Sequence, residues 1–146
     1  MAARMHLSLH DARVRPDRAD DLQALIDTLF ARRHFDRAQA QQGAGQMWLK
    51  AELVQVQRAR SSVYQTLSSR MDGPLLFPMG FLRIQDGRVD VISDAVPAVD
   101  PTALARVLSE FLQPGARITC TADDTTHRWR VAGVDDLHAL RTADQS

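Results

Sequence analysis

The sequence predicts an α+β protein in which a ββαββ unit builds a four-stranded antiparallel sheet, extendable to five strands by an N-terminal segment. Three observations predict it. Asp86-Gly87 sits between alternating apolar residues, a helix with both ends marked covers 101 to 112, and a second pair of alternating runs covers Arg117 to Val131. An amphipathic helix and a long heptad-like helix precede this unit, and a short C-terminal helix follows it. With 146 residues, 45% of them hydrophobic, the chain suits one domain that buries a core without disulfides. Within 1–146, residues 1–73 read as a mainly helical part, 74–141 as the ββαββα part, and 142–146 as a frayed tail.

In chain order, Met5, Leu7 and Leu9 alternate with His6, Ser8 and His10, which predicts a short strand at one sheet edge. Asp17 or Asp20 can then cap a helix whose stripe is Leu22, Leu25, Ile26, Leu29 and Phe30, ending near His34. Residues 36 to 45, broken by Gly43 and Gly45, read as a turn of helix or a connection. From Gln46 to Ser69, Leu49, Leu53, Val56, Arg60, Val63 and Leu67 follow the spacing of a heptad seam, flanked by Met47, Trp48 and Tyr64. A rival assignment makes Leu49 to Arg58 a strand, but its alternation fails at Val54 to Val56. Asp72-Gly73-Pro74 is a turn, and Leu75 to Met79 an extended lead into the sheet.

The Asp-Gly loop favours a type I′ turn, which places Gln85 opposite Arg88, Ile84 opposite Val89, Arg83 opposite Asp90 and Leu82 opposite Val91. Asp100 is the expected N-cap and Pro101 the first position of a helix with Leu104, Val107, Leu108, Phe111 and Leu112 as its stripe, ended by Pro114-Gly115. A four-residue connection, Asp123 to Thr126, would set Cys120 opposite Trp129 and Ile118 opposite Val131, with Thr119, Thr121, Arg128 and Arg130 on the other face. Val134, Leu137 and Leu140 suggest the short C-terminal helix.

Composition narrows the function classes. The formal charge is zero, divided as +3 over residues 1–73 and −3 over 74–146, which gives little long-range attraction for nucleic acid or an anionic membrane. One cysteine rules out an internal disulfide and a thiolate metal cluster, so a reducing, cytoplasmic setting is expected. No apolar run approaches a membrane span, and no glycine-rich phosphate loop is present.

The catalytic-looking residues have simpler explanations. Asp123, Asp124 and His127 can hold a divalent metal in a small hydrolase, but Asp-Asp-Thr-Thr is also ordinary turn chemistry. Asp135, Asp136 and His138 suit the first turn of a helix, and Cys120 an apolar site. No catalytic residue, metal or cofactor is therefore assigned. The expected role is a non-enzymatic interaction module, an adaptor, inhibitor, chaperone or regulator. It would self-associate or hold a protein partner through Trp48, Leu49, Leu53, Val56, Arg60, Val63, Tyr64 and Leu67. The alternative is a nucleic-acid-binding regulator that uses a basic sheet face of Arg83, Arg117, Arg128 and Arg130. In element order the chain resembles small dimeric secretion chaperones of bacteria, although it has a long helix where they have a strand and lacks their acidic balance.

Overall fold

The computed structural model describes residues 4–27, 29, 61–67 and 73–140. Trp48, Leu49, Leu53, Val56 and Arg60 of the heptad seam, the connection at 36–45 and the tail at 142–146 lie outside the described residues, as does the expected helix end near His34. Within them, helix and strand mix in one five-stranded antiparallel sheet and one two-stranded sheet.

Strand β1 (Arg4–His10) buries Met5 and Leu7 and exposes His6 and His10, as its alternation requires. It is not an edge strand. It pairs with β4 (Val96–Pro97) on one side and β5 (Arg117–Ala122) on the other, with Leu7 opposite Cys120. These partners are some ninety to one hundred and fifteen residues away, and strand pairing at that separation leaves no local signal in the sequence.

After β1, Asp11 adopts a positive φ of 51° and the chain bends, so the burial parity changes and Ala12 and Val14 turn inward. Residues 12–14 then meet the first hairpin, β2 (Leu82–Gln85) and β3 (Arg88–Val91): Val14 N donates to Gly87 O and Val89 N to Ala12 O, both at 2.9 Å. The hairpin has the register its Asp-Gly turn specifies, with Asp86 and Gly87 both at positive φ. It nevertheless forms its own sheet. The expected four-stranded ββαββ sheet is replaced by a sheet of β1, β4, β5, β6 (Thr125–Gly133) and β7 (Asp136–Ala139), because the 12–14 segment occupies the edge of β3.

A 3-10 turn, Pro16–Arg18, leads into helix α1, with residues 19–27 and 29 helical. Arg15 stands at the N-cap and makes no side-chain cap, so neither Asp17 nor Asp20 caps this helix. Proline at the first position supplies the fixed φ that starts it. Leu22, Leu25, Ile26 and Leu29 are buried as the periodicity predicts. Helix α2 (Ser62–Leu67) buries Val63 and Tyr64. Gly73–Phe81 is a 3-10 helix rather than an extended lead; the φ that Pro78 imposes suits both, and here Leu75, Leu76 and Met79 all reach the core. At Gly80 an added Cβ would lie 3.0 Å from Leu29 Cβ and 3.2 Å from its backbone carbon, so any larger residue would press α1 away by a few tenths of an ångström.

Helix α3 (Pro101–Phe111) starts as expected, Asp100 accepting from Thr102 N at 3.2 Å, and its stripe of Leu104, Val107, Leu108 and Phe111 is fully buried. Its last carbonyls find donors in the 13–15 segment: Arg15 N donates to Phe111 O and Arg15 Nε to Leu112 O. The second hairpin, β5 and β6 (Thr125–Gly133), turns through two residues, Asp123 and Asp124, both at positive φ, not four. Aspartate tolerates that conformation because its short side chain bonds its own backbone. Cys120 is therefore opposite His127 and Ile118 opposite Trp129, a slip of two that preserves every face.

The C-terminal segment is a strand, β7 (Asp136–Ala139), not a helix. Asp135 enters the left-handed region, closes a third hairpin with Val134, and β7 pairs back along β6. A spacing of three over so short a segment does not separate helix from strand. The resemblance to secretion chaperones, which rested on a helix here, therefore fails at this element.

Candidate functional site

The five strands divide the sheet into two faces. Met5, Leu7, Ile118, Cys120, Trp129 and Val131 point inward and are buried, α3 packing on β6 and β7. Even-numbered residues of β1 and β6 and odd-numbered residues of β5 point the other way.

On this outer face the registers align His10, Arg117, Arg130 and His138 in one row across four strands, about 14 Å at ordinary strand spacing. Beside it runs Ser8, Thr119 and Arg128, and beside that His6, Thr121 and Thr126, with the two threonine hydroxyls 3.1 Å apart. Arg117 pairs with Asp11 at 2.9 Å. Among the described residues, neither Arg128 nor Arg130 has an acidic partner. Arg117 and Arg130 stand directly opposite each other, an arrangement of like charges that costs stability.

His6 is held at the edge of this face. Its Nδ1 lies 2.8 Å from Asp94 O, which can only accept, so Nδ1 carries the proton and Nε2 accepts from Ser8 Oγ at 3.0 Å. The sequence placed His6 and Ser8 on one face but gave no sign of Asp94 beside them.

The four arginines proposed as a basic surface are thus divided. Arg117, Arg128 and Arg130 share the outer face, whereas Arg83 sits on the separate hairpin, 4.0 Å from Asp90. Of the seam residues that are described, Val63 and Tyr64 are core residues and Leu67 is half-buried against that core.

The other clusters fall apart or have internal partners. Asp123 and Asp124 form the exposed turn, and His127 stacks on Trp129 with ring centroids 5.7 Å apart. Arg106 donates to both carboxylate oxygens of Asp135, at 2.5 and 2.9 Å, which holds that carboxyl below its ordinary range while raising the arginine. Ser109 Oγ accepts from Asp135 N at 2.7 Å, so this turn is fastened to α3 from two residues. Burial pushes the Cys120 thiol up to about 12, which keeps it protonated and unreactive. Among the described residues, no three of His, Cys, Asp and Glu are placed to hold a metal ion. No helix among them is long and apolar enough to cross a membrane.

Sequence reasoning missed a buried carboxylate. Glu110 lies at the end of α3 beneath the start of α2, accepting from Ser61 Oγ at 2.6 Å and from Ser62 N and Oγ at 3.0 and 2.9 Å. Arg18, its guanidinium stacked 5.0 Å from the Phe111 centroid, approaches Glu110 at 3.5 Å. Ser61 Oγ also accepts from Tyr64 N, so the cluster caps α2 and ties it to α3. The only signal in the sequence was a glutamate one residue from the apolar stripe of α3.

These features define a mixed α and β protein whose sheet, among the described residues, is open on one side. Comparison with protein-family models, with characterised proteins and with solved structures finds no match for this chain.

Proposed function

We propose that the protein is a non-enzymatic interaction module that engages an acidic segment of a protein partner across the outer face of its sheet. The observation that carries this proposal is the row of His10, Arg117, Arg130 and His138, next to Arg128, with two arginines lacking acidic partners among the described residues. Carboxylates laid over these rows would meet bidentate guanidinium donors and the hydroxyls of Ser8, Thr119, Thr121 and Thr126. A partner would also screen the opposition of Arg117 and Arg130. Nucleic acid is the second reading of a cationic face, but among the described residues the face carries no Phe, Tyr or Trp for bases to stack on, and the net charge is zero.

The test is fluorescence anisotropy with a labelled oligoglutamate peptide and a labelled single-stranded RNA. The expected result is peptide binding that weakens with salt and falls roughly tenfold or more in an Arg128→Glu, Arg130→Glu variant with an unchanged circular dichroism spectrum. Binding of RNA in preference to the peptide would transfer the role to nucleic acid. Peptide binding that the double variant retains would remove the face from the interaction.

A further inference from the structure

We infer that the free edge of β7 pairs with the same edge of a second copy of this chain, joining two five-stranded sheets into one continuous sheet. β7 ends the strand order, and among the described residues nothing pairs with its outer edge. The ladder tells which groups that edge presents. Leu140 N donates to Arg128 O at 2.8 Å, and in an antiparallel ladder the bonded pairs alternate, so His138 also bonds to β6. The N–H and C=O groups of Leu137 and Ala139 therefore point away from β6, toward the open edge.

The side chains are self-complementary about Leu137. A two-fold axis at Leu137 makes it the hydrogen-bonded centre of an antiparallel pair and sets Asp136 opposite His138 of the partner subunit, and His138 opposite Asp136 of the partner subunit. Within one chain these two already lie 3.8 Å apart on the same face, both well exposed. In the pair, each carboxylate stands between two imidazoles. A carboxylate directly across a strand pair from an imidazole can accept its N–H, and any other register loses that contact. No proline interrupts Asp136–Ala139, and the strand is regular once past the irregularity between Val131 and Gly133. The same operation places the two cationic outer faces side by side, which would double the surface offered to an acidic partner. The pairing itself does not depend on that partner.

Sedimentation equilibrium of the full chain, up to about 300 µM, tests the inference. The expected result is a reversible dimer. Ala139→Pro should weaken it roughly tenfold or more, with an unchanged melting temperature at dilutions where the chain is monomeric, because the lost N–H makes no bond within the chain. Asp136→Lys and His138→Glu should each weaken it as well, since the first replaces each imidazole's acceptor with an ammonium and the second sets two carboxylates opposite each other. Mixed in equal amounts, those two variants should associate more tightly than either does alone, because the mixed pair sets one ammonium opposite a carboxylate and restores one carboxylate–imidazole contact. A wild-type chain that stays monomeric would overturn the inference. A dimer that Ala139→Pro leaves intact, or a mixture with no recovery, would do the same.

Discussion

The two faces of the five-stranded sheet are built from the same strands with opposite demands. Inward, Met5, Leu7, Ile118, Cys120 and Val131 are at most 2% exposed and belong to the core. Outward, the same strands set Arg117 opposite Arg130 with histidines at both ends of the row. Packing accounts for the buried residues of the first face; on the second, like charges stand opposite each other and oppose folding, offset at Arg117 by its ion pair with Asp11. On the proposed function, stability is concentrated on one side and binding on the other. Substitutions should therefore separate them.

The largest effect should come from the inner layer. Phe111, fully buried and stacked against the Arg18 guanidinium, should cost roughly 3–5 kcal/mol as Phe111→Ala. Urea denaturation measures the loss, and Cys120 supplies an independent readout. With its thiol held near 12 by burial, alkylation at neutral pH should await unfolding and accelerate in this variant. Rapid alkylation of the folded wild type would show that the inner face is not sealed.

Glu110→Ala comes next. It strips the Ser61 and Ser62 hydroxyls and Ser62 N of their acceptor, a loss of roughly 1–3 kcal/mol for buried polar groups. The damage should be local, so hydrogen exchange at Val63 and Tyr64 should rise far more than at Ile118 or Val131. Uniform acceleration would mean that α2 is not a separately fastened element.

These two residues were unequally legible. Phe111 belongs to a stripe between Asp100-Pro101 and Pro114-Gly115, where periodicity and caps agree, and the whole of α3 could be read. Glu110 became a capping ligand only because α2 packs against it, a contact across 48 residues. The same boundary divides the strands. Turn chemistry at Asp86-Gly87 gave the first register outright, whereas Asp123-Asp124 hid a two-residue turn because aspartate takes a positive φ less readily than glycine. Face parity survived that error, so Arg128 and Arg130 were placed together correctly. Their alignment with His10 and His138 required β1 and β7, the one expected at an edge and the other expected to be a helix.

The junction between the faces offers a smaller effect. Arg106 holds the Asp135 carboxyl below its ordinary range chiefly by its hydrogen bonds, partly opposed by desolvation, and the pair fastens the β6–β7 turn to α3. A carboxyl with a depressed folded pKa contributes fully above its unfolded value, near ~4, and loses the contribution as pH falls through the folded value. Wild type should thus exceed Arg106→Gln in stability at pH 7, and the difference should close in acid. Both side chains are more than a third exposed, so the difference should stay within the roughly 0.2–1 kcal/mol of solvent-screened pairs. A gap that persists in acid after the carboxyl has titrated would assign the contact to packing.

The smallest effect is also the sharpest test of the contrast between faces. Arg130→Thr keeps a good strand former while removing one member of the Arg117 and Arg130 opposition. Its stability should lie within about 0.5 kcal/mol of wild type, on the stabilised side at low salt. Added salt screens like charges, so it should stabilise the wild type more than the variant and bring the two denaturation curves together. The same substitution should weaken oligoglutamate binding although the fold is unharmed. A destabilisation beyond about 1 kcal/mol would show instead that Arg130 belongs to the structural inventory of the sheet, and the division of labour between its faces would fail at its central row.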